Sequence, residues 1–450
     1  MYIIQAGWVI LPEMKIAKQS SLVIDENKIV EVLPHDEART KYPQASIINR
    51  SDCVISPGFV NAHMHLYGVL AHGIEPVVPV LSFESFLTDY WWPLVEDQLD
   101  ATMISCACAY SAAELVNSGV TALCDVLEAP YAGYEGLLAQ EKVLRSLGVR
   151  AILSTEACQR ISGEMGWQLL EANARFVRTF KDDPLITGMI CTHTAFTCDE
   201  QFLSKAVDLA VKEQASLQLH LNESEYESKW TQKAYGMRTC NWYDKIGVLS
   251  DKLLAAQAVQ VDAQEIQLLA KHKVRTVHVP LSNCEVGGGI SPVPALLDAS
   301  VACSLGTDGY INNFFEVMRA SFLIHKGVCC DPTIMSSRTV YRMATQSGSD
   351  ALYPGKQYGR LQPNAAADFI TINLAGLPTT VTEYNLFDQI ILYRNPQDVQ
   401  DVMVEGKFLK KDFTMQTTKP FGFLGRQAAI EAQRLWDKGR SVVAKNKETR

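Results

Sequence analysis

The feature that most constrains the fold of this chain is a regular alternation of apolar runs and amphipathic segments between residues 54 and 305. The segments between the apolar runs, such as 101–117 and 200–213, carry apolar residues at helical spacing. The apolar runs themselves read as eight strands, at 54–60, 120–124, 149–154, 186–191, 216–221, 253–257, 275–279 and 302–305. Eight strand-then-helix units predict an α/β protein built on a (β/α)8 barrel of the TIM type.

The two ends of the chain read differently, as short strands separated by turns. Predicted strands lie at 2–11, 21–25, 28–33, 46–49, 367–374, 389–393 and 402–409, the last with a turn at Glu405-Gly406. Because chain ends often lie near each other, we expect residues 1–55 and 362–415 to form one small β-sandwich beside a barrel of residues 56–361. The basic tail, 420–450, predicts a solvated surface helix.

The composition of the chain limits which classes of partner the protein can bind. The chain has 450 residues and a formal net charge of −9, so it offers no broad cationic surface to nucleic acid. No apolar run reaches the roughly 18 residues that cross a bilayer, and the first residues lack the basic start and cleavage site of an export signal. The twelve cysteines are scattered, several within apolar runs, as expected of reduced thiols. We therefore expect a cytoplasmic protein with no membrane partner.

Two histidines mark the end of the first predicted barrel strand. The stretch SPGFVNAHMH places His63 and His65 two residues apart. In a strand, residues i and i+2 face the same side. Both imidazoles should therefore project together from the C-terminal end of the strand, the face on which barrel enzymes carry their chemistry.

Two other strand ends offer metal-binding side chains. The fifth predicted strand ends at His220, with Glu223 three residues later, and the eighth runs into Gly306-Thr307-Asp308-Gly309. Three imidazole nitrogens and one carboxylate oxygen form a donor set that suits zinc or iron. The sequence thus predicts one divalent metal ion, bound by His63, His65, His220 and Asp308.

Taken as a set, these motifs resemble those of the amidohydrolase superfamily. The resemblance rests on PGFVNAHMH, on His220-x-x-Glu223, on HVPLSN beginning at His278 and on SLGTD ending at Asp308, and it spans almost the whole chain. The branch that it resembles contains the cytosine, guanine and S-adenosylhomocysteine deaminases and the triazine hydrolases. The resemblance implies a homo-oligomeric, metal-dependent hydrolase that acts on a C–N bond of a small nitrogen heterocycle.

The roles of individual residues follow from the same resemblance. It implies that Glu223 moves a proton from the metal-bound water to a ring nitrogen, and that Asp308 both binds the metal and accepts a hydrogen bond from that water. His193 resembles the family's substrate-contacting histidine, with a structural imidazole as the alternative. Further candidate substrate contacts are Trp92, whose flat ring can stack on a heterocycle, Ser282 and Asn283.

One catalytic position departs from the family. Its deaminases carry a histidine at the end of strand six, where this chain has Gln257. A neutral amide donates a hydrogen bond but does not titrate near neutral pH, and losing one such group typically costs about 10² to 10³ in rate. Three interpretations stay open: a changed substrate or reaction, another side chain in the role, or a metal-containing binding protein with little turnover. We favour the first, which includes opening or closing a pyrimidine-type ring.

Overall fold

The computed structural model describes residues 1–448, so the last two residues of the predicted tail lie outside the described residues. The strands are β1 (Tyr2–Ile10), β2 (Ile16–Asp25), β3 (Lys28–Pro34), β4 (Ser46–Pro57), β5 (Phe59–Met64), β6 (Val120–Leu127), β7 (Arg150–Thr155), β8 (Ile186–Gly188), β9 (Ile190–Cys191), β10 (Leu217–Leu221), β11 (Leu253–Gln257), β12 (Arg275–His278), β13 (Ala302–Leu305), β14 (Phe369–Asn373), β15 (Val399–Val404), β16 (Lys407–Lys411) and β17 (Thr414–Met415).

The α-helices are α1 (His35–Lys41), α2 (Phe83–Ser85), α3 (Trp92–Leu94), α4 (Ala101–Asn117), α5 (Gly133–Leu147), α6 (Gly163–Thr179), α7 (Glu200–Glu213), α8 (Glu225–Tyr235), α9 (Thr239–Lys245), α10 (Ala263–Lys271), α11 (Pro280–Glu285), α12 (Val293–Asp298), α13 (Phe314–Cys329), α14 (Ser337–Arg342), α15 (Gly348–Leu352), α16 (Leu386–Tyr393) and α17 (Phe421–Glu448). Short 3₁₀ segments span Pro12–Met14, Leu66–Ala71, Glu96–Gln98 and Pro396–Asp398, and π-helical turns span Phe86–Trp91 and Met343–Ser347. Within residues 1–448 no single helix has the length and apolar character to span a bilayer, and one bent pair, Phe83–Gln98 with Ala101–Asn117, meets both conditions jointly.

The two chain ends form one mixed sheet, in the order β17-β16-β15-β14-β4-β1-β2-β3. The long strand β4 joins the ends, because residues 46–55 pair with β1 and residues 53–57 pair with β14. Ile4, Leu22, Ile55, Phe369 and Met403 are buried together in its core. The prediction that both chain ends contribute strands to one β region is confirmed. The predicted sandwich, however, is a single hydrogen-bonded sheet, because β4 leaves no break between the strands from either end.

The predicted strand 389–393 is wrong, because these residues belong to helix α16. The buried residues of this helix are Leu386, Phe387, Gln389, Ile390 and Ile391. A short apolar run fits a buried helix as well as a strand. Here the buried stripe extends one turn back to Leu386, and that spacing belongs to a helix.

The predicted strand 54–60 is in fact the end of β4 and the start of β5. Pro57-Gly58 moves the chain from the large sheet into a second, parallel sheet. A side chain at Gly58 does not fit, because a Cβ atom there would lie 2.1 Å from Oγ1 of Thr121. One apolar run thus contributes to two sheets, which its hydropathy alone does not show.

Two parallel sheets occupy the middle of the chain, in the orders β5-β6-β7-β8 and β9-β10-β11-β12-β13. Single parallel bridges connect them at both ends, between Met64 and Asp308 and between Ala157 and Thr192. The predicted strand 186–191 is divided between the sheets, since β8 pairs with β7 and β9 pairs with β10. Because all these strands run the same way, their C-terminal ends lie on one side of the protein.

The C-terminal helix α17 packs against the segment that follows the histidine pair. Leu435 is fully buried, and Nε1 of Trp436 donates to the carbonyl of Leu70 at 2.7 Å. Nζ of Lys438 donates to the carbonyl of Gln98 at 2.6 Å. The expectation of a solvated surface helix is therefore wrong for this face, which meets α3 and α4.

Candidate active site

Three of the predicted metal ligands meet at the C-terminal ends of the parallel strands. His63 lies in β5, His65 directly follows it, and His220 lies near the end of β10. The ring centre of His63 is 4.9 Å from that of His65 and 5.0 Å from that of His220, and all three side chains are buried. One nitrogen of each ring lies within 4.8 Å of the other two. The three imidazoles can therefore hold one metal ion between them.

Hydrogen bonds on the outer side of these rings fix their orientation. The side-chain amide of Gln218 lies 2.7 Å from Nδ1 of His63, and Nδ1 of His65 donates to the carbonyl of Val126 at 2.8 Å. Nε2 of His63 is buried and has no hydrogen-bond partner among the described residues. Burial, with the charge of His65, holds the pKa of His63 well below its usual range. A lowered pKa favours the neutral ring, which is the form that binds metals.

Asp308 reaches the same point from the far end of the second parallel sheet. Its backbone N–H donates to the carbonyl of His63 at 3.2 Å, and its Oδ1 lies 3.0 Å from Nε2 of His65. Gly306 permits this approach, because a Cβ atom there would lie 2.5 Å from the carbonyl oxygen of His63. The structure thus brings together all four predicted ligands, His63, His65, His220 and Asp308.

Gln257 ends β11 and is a neutral link in a buried hydrogen-bond chain. Its Nε2 donates to Oδ2 of Asp308 at 2.6 Å, and its Oε1 accepts a hydrogen bond from Nδ2 of Asn283. Its φ of 77° is left-handed, so the chain turns sharply at this strand end. Asn283, a predicted substrate contact, is fully buried and contacts Gln257, so it acts on the site through that residue. The adjacent Ser282 does line the cavity.

Glu223 lies in the loop after β10 and lines the same cavity as His65 and His220. The residue is partly exposed towards that cavity, yet protein surrounds its carboxyl group. This desolvation, together with the negative charges of Asp308 and Glu128, raises the pKa of Glu223 well above its usual range. A carboxyl group with a raised pKa is suited to accept and return a proton near neutral pH.

A second cavity, of ≈ 520 Å³, adjoins the one that Glu223 lines. We call the cavity at Glu223 and the histidines the inner cavity, and this one the outer cavity. His193 lines the inner cavity, with its ring centre 5.3 Å from that of His220, whereas Trp92 lines the outer one. The guanidinium of Arg160 lies 4.9 Å from the ring centre of Trp92. Trp91 lines the inner cavity instead, and its Nε1 donates to the hydroxyl of Tyr67. The tryptophan placed to meet a ring at the metal site is therefore Trp91.

Comparison with known proteins identifies the family of this chain. Residues 54–409 match the Amidohydrolase family. The chain belongs to this family. This amidohydrolase is 29% identical over 415 residues to a 5-methylthioadenosine/S-adenosylhomocysteine deaminase of Syntrophobacter fumaroxidans. The alignment covers 88% of this chain and 89% of the relative. It is 29% identical over 408 residues to a 5'-deoxyadenosine deaminase of Methanosarcina mazei, with coverage of 89% and 90%.

The fold of this amidohydrolase is shared with a crystal structure of an adenosine deaminase from Xanthomonas campestris with bound zinc. The TM-score is 0.87 at 25% sequence identity, and the match covers 96% of this chain and 98% of that one. Family and relatives together define the class of reaction. The protein is a hydrolase that acts on carbon–nitrogen bonds other than peptide bonds.

Two buried glutamates at the site of this amidohydrolase were not predicted. Glu128 directly follows β6 and Glu156 directly follows β7. Oε2 of Glu128 lies 3.6 Å from Nδ1 of His65, and its Oε1 lies 3.9 Å from Nε2 of His220. Neither glutamate belongs to the motifs that carry the family resemblance. A carboxylate immediately after a buried strand is the signal that marks both of them.

Proposed function

We propose that this amidohydrolase is a zinc-dependent aminohydrolase that replaces an amino group on a nitrogen heterocycle with oxygen and releases ammonia. The observation that carries the proposal is the convergence of three imidazoles and one carboxylate at the ends of β5, β10 and β13. Support comes from the relatives named as deaminases of 5-methylthioadenosine/S-adenosylhomocysteine and of 5'-deoxyadenosine. The zinc bound by the Xanthomonas adenosine deaminase supports zinc over iron.

The donor set fits such an ion. His63, His65 and His220 would supply nitrogen ligands and Asp308 an oxygen ligand, as borderline-soft zinc prefers. The buried Nε2 of His63, without a hydrogen-bond partner among the described residues, is a polar atom that a ligand would satisfy. A single ion accounts for all four side chains.

When bound, zinc lowers the pKa of a water molecule towards about 7 and so supplies a nucleophile at neutral pH. Glu223 accepts the proton that this water loses and returns it to the heterocycle. The oxygen of the water would bond to the carbon that carries the amino group, and its second proton would pass to that group. The C–N bond would then break with ammonia as the leaving group, and a C=O bond would replace it. The substrate ring binds beside His193 and Trp91, which line the inner cavity.

Gln257 is a positioning residue in this scheme. Because it holds Oδ2 of Asp308, it directs Oδ1 of that carboxylate towards the histidines. It cannot supply the positive charge that an imidazolium would. This favours a heterocycle whose reacting carbon is already electron-poor, and it also favours ring opening or closure as the second candidate reaction.

We further propose that the two parallel sheets close into one (β/α)8 barrel. The bridges between Met64 and Asp308 and between Ala157 and Thr192 support this closure, as does the fold shared with the Xanthomonas enzyme. The domain limits then follow the sequence-based prediction: barrel 56–361, terminal sheet 1–55 with 362–415, and helical tail 420–450. A homo-oligomer in the cytoplasm stays a prediction, which light scattering and cell fractionation would test.

The test of the function is a substrate panel. Zinc-loaded protein is incubated with adenosine, 5'-deoxyadenosine, 5-methylthioadenosine, guanine, cytosine and a set of cyclic amidines and ureides, and ammonia and ring products are measured. We expect zinc-dependent turnover of at least one compound. Stoichiometric zinc with no product from any of them would reject the proposal.

A further inference from the structure

The inner cavity is strongly acidic. Its lining includes five carboxylates, those of Glu96, Glu128, Glu223, Glu285 and Asp308, and no lysine or arginine among the described residues. Asp308 and Glu223 have roles in the proposed reaction, Asp308 as a metal ligand and Glu223 as the group that moves a proton. The other three carboxylates have no role in it. Glu285 is exposed at the mouth, where water screens its charge.

Glu96 already has a cationic partner. Its Oε2 accepts a hydrogen bond from Nη2 of Arg160 at 2.9 Å, and Nη1 of the same guanidinium lies 2.8 Å from Asp97. Two carboxylates therefore share one arginine. Arg160 also stacks on Trp92, which holds it towards the outer cavity. It is not available to the other carboxylates of the inner cavity.

Glu128 accepts a hydrogen bond from the hydroxyl of Tyr67, and among the described residues neither Glu128 nor Glu156 pairs with an arginine or lysine. Both are buried, and one oxygen of each lies within 4.8 Å of the other and of a nitrogen of His220. Oε2 of Glu156 is 3.8 Å from Nε2 of His193 and has no hydrogen-bond partner among the described residues. Burying carboxylates without a cation is costly. With His220 ligating the metal as a neutral ring, this pair has room for a positive charge from a ligand.

Two stacked aromatic rings form part of the lining of the same cavity. Phe86 and Trp91 line it, and their rings stack with centres 5.6 Å apart and an interplanar angle of 20°. Aromatic faces attract planar cations such as guanidinium and amidinium groups. A carboxylate accepts two parallel N–H bonds from such a group.

We propose that Glu128, with Glu156 behind it, binds a planar cationic nitrogen group of the substrate, an amidinium or a guanidinium carried on or within the heterocycle. The inference rests on the proposed function, because it assigns the substrate class of that same cavity. The competing occupant is a second divalent ion held by Glu128, Glu156 and His220. The stacked rings of Phe86 and Trp91 at the same cavity favour the organic cation over a metal ion.

The test compares benzamidine with benzamide, which have nearly the same shape and differ in charge. Calorimetry on the zinc-loaded full chain should show benzamidine binding at least about tenfold more tightly than benzamide. Glu128→Gln should abolish this preference and leave benzamide binding within about threefold. The control Glu285→Gln, at the exposed mouth, should change the preference by less than about threefold.

Equal affinity of the wild-type protein for the two probes would overturn the inference without need of any variant. So would a preference that survives Glu128→Gln, or a second zinc per chain that Glu128→Gln removes. The probes need no turnover, so the two proposals fail separately. Benzamidine selectivity without product from the substrate panel rejects the aminohydrolase alone, and turnover without selectivity rejects the cation site alone.

Discussion

The two sides of the active-site mouth hold their polar groups differently. On the side of β5, β10 and β13, partners such as Gln218 and Gln257 orient the predicted ligands, and the orphaned nitrogen of His63 is left for a metal. On the side of β6 and β7, Glu128 and Glu156 lie close together, and within residues 1–448 neither pairs with an arginine or lysine. The first side is built for the chemistry that the family shares. The second side differs in charge and is suited to select the compound that reacts.

Removing a metal ligand should disable the histidine side entirely. In His63→Ala we expect the loss of bound zinc and a fall in hydrolysis of more than about 10³-fold, measured by metal analysis and ammonia release. The matched control is His278→Gln, which alters another buried histidine at a strand end, hydrogen-bonded to His325 at 3.2 Å. The control should keep its zinc. Zinc retained by both variants would contradict the ligand assignment.

Glu223→Gln should separate proton transfer from metal binding. We expect kcat to fall by about 10² to 10³ because the amide cannot accept the proton of the water, while the zinc content stays at one per chain. Glu225→Gln is the control, since Glu225 is exposed in the same region and its carboxylate pairs with Lys229 on the same helix. An unchanged kcat in Glu223→Gln rules out the shuttle.

Restoring the family's histidine should destabilise the protein. In Gln257→His the imidazole can still donate to Asp308, but the buried Nδ2 of Asn283 loses its acceptor. We expect the free energy of unfolding to fall by about 1 to 3 kcal/mol. Adding Asn283→Ala should cost less than in the wild-type background, because the two residues form one network. Additive losses in denaturant unfolding would show that the chain of hydrogen bonds carries no coupling.

Glu227 is a buried glutamate whose carboxylate accepts hydrogen bonds from backbone N–H groups, unlike Glu128 and Glu156 in the described part of the chain. Glu227 accepts hydrogen bonds from the backbone N–H groups of Ala195 and Asn222, and burial raises its pKa to about 7. The folded protein therefore binds this proton more tightly than the unfolded chain does. The free energy of unfolding should fall as the pH rises from about 4.5 to about 7, by at most about 1.4 kcal/mol per pH unit.

Denaturant unfolding at pH 5, 6 and 7 would measure this slope in the wild type and in Glu227→Gln. The variant lacks the titrating group, so its stability should fall less steeply over that range, whatever its constant offset. Parallel slopes would mean that the carboxyl of Glu227 ionises alike in the folded and unfolded states.

The smallest effect is expected at the contact of α17. Trp436→Phe removes the hydrogen bond to the carbonyl of Leu70 and should lower the free energy of unfolding by about 1 kcal/mol, with the zinc content unchanged. Trp167→Phe is the control, because Trp167 is partly exposed on α6 and should cost less than about 0.5 kcal/mol. Equal losses would assign the effect to ring size alone.

Residues close together in sequence were the most predictable. The histidine pair lies at the end of β5 and Asp308 lies three residues after β13, so periodicity and a motif locate them. Glu128 and Glu156 give the same local signal, but only the fold shows that they meet. The hydrogen bond from Gln257 to Asp308 spans 51 residues and has no local signature.

Two errors in secondary structure come from short apolar runs. The run 389–393 fits a buried strand and a buried helix equally well, and its packing decides for the helix. The run 54–60 is extended as predicted, but only the fold shows that it is divided between two sheets. The same holds for α17, where the sequence shows a basic tail but not the surface that Leu435 covers.

The contact of α17 also sets the order in which the finished enzyme is assembled. Leu70 leaves the ribosome 366 residues before Trp436, which at about 5 to 20 residues per second is a delay of roughly 20 to 70 s. Strand β4 is likewise synthesised long before β14, the strand with which it pairs. Throughout that interval the nascent chain holds its histidine pair without the helix that packs against the following 3₁₀ segment, so a ribosome stalled before residue 421 carries a chain in which this segment is uncovered.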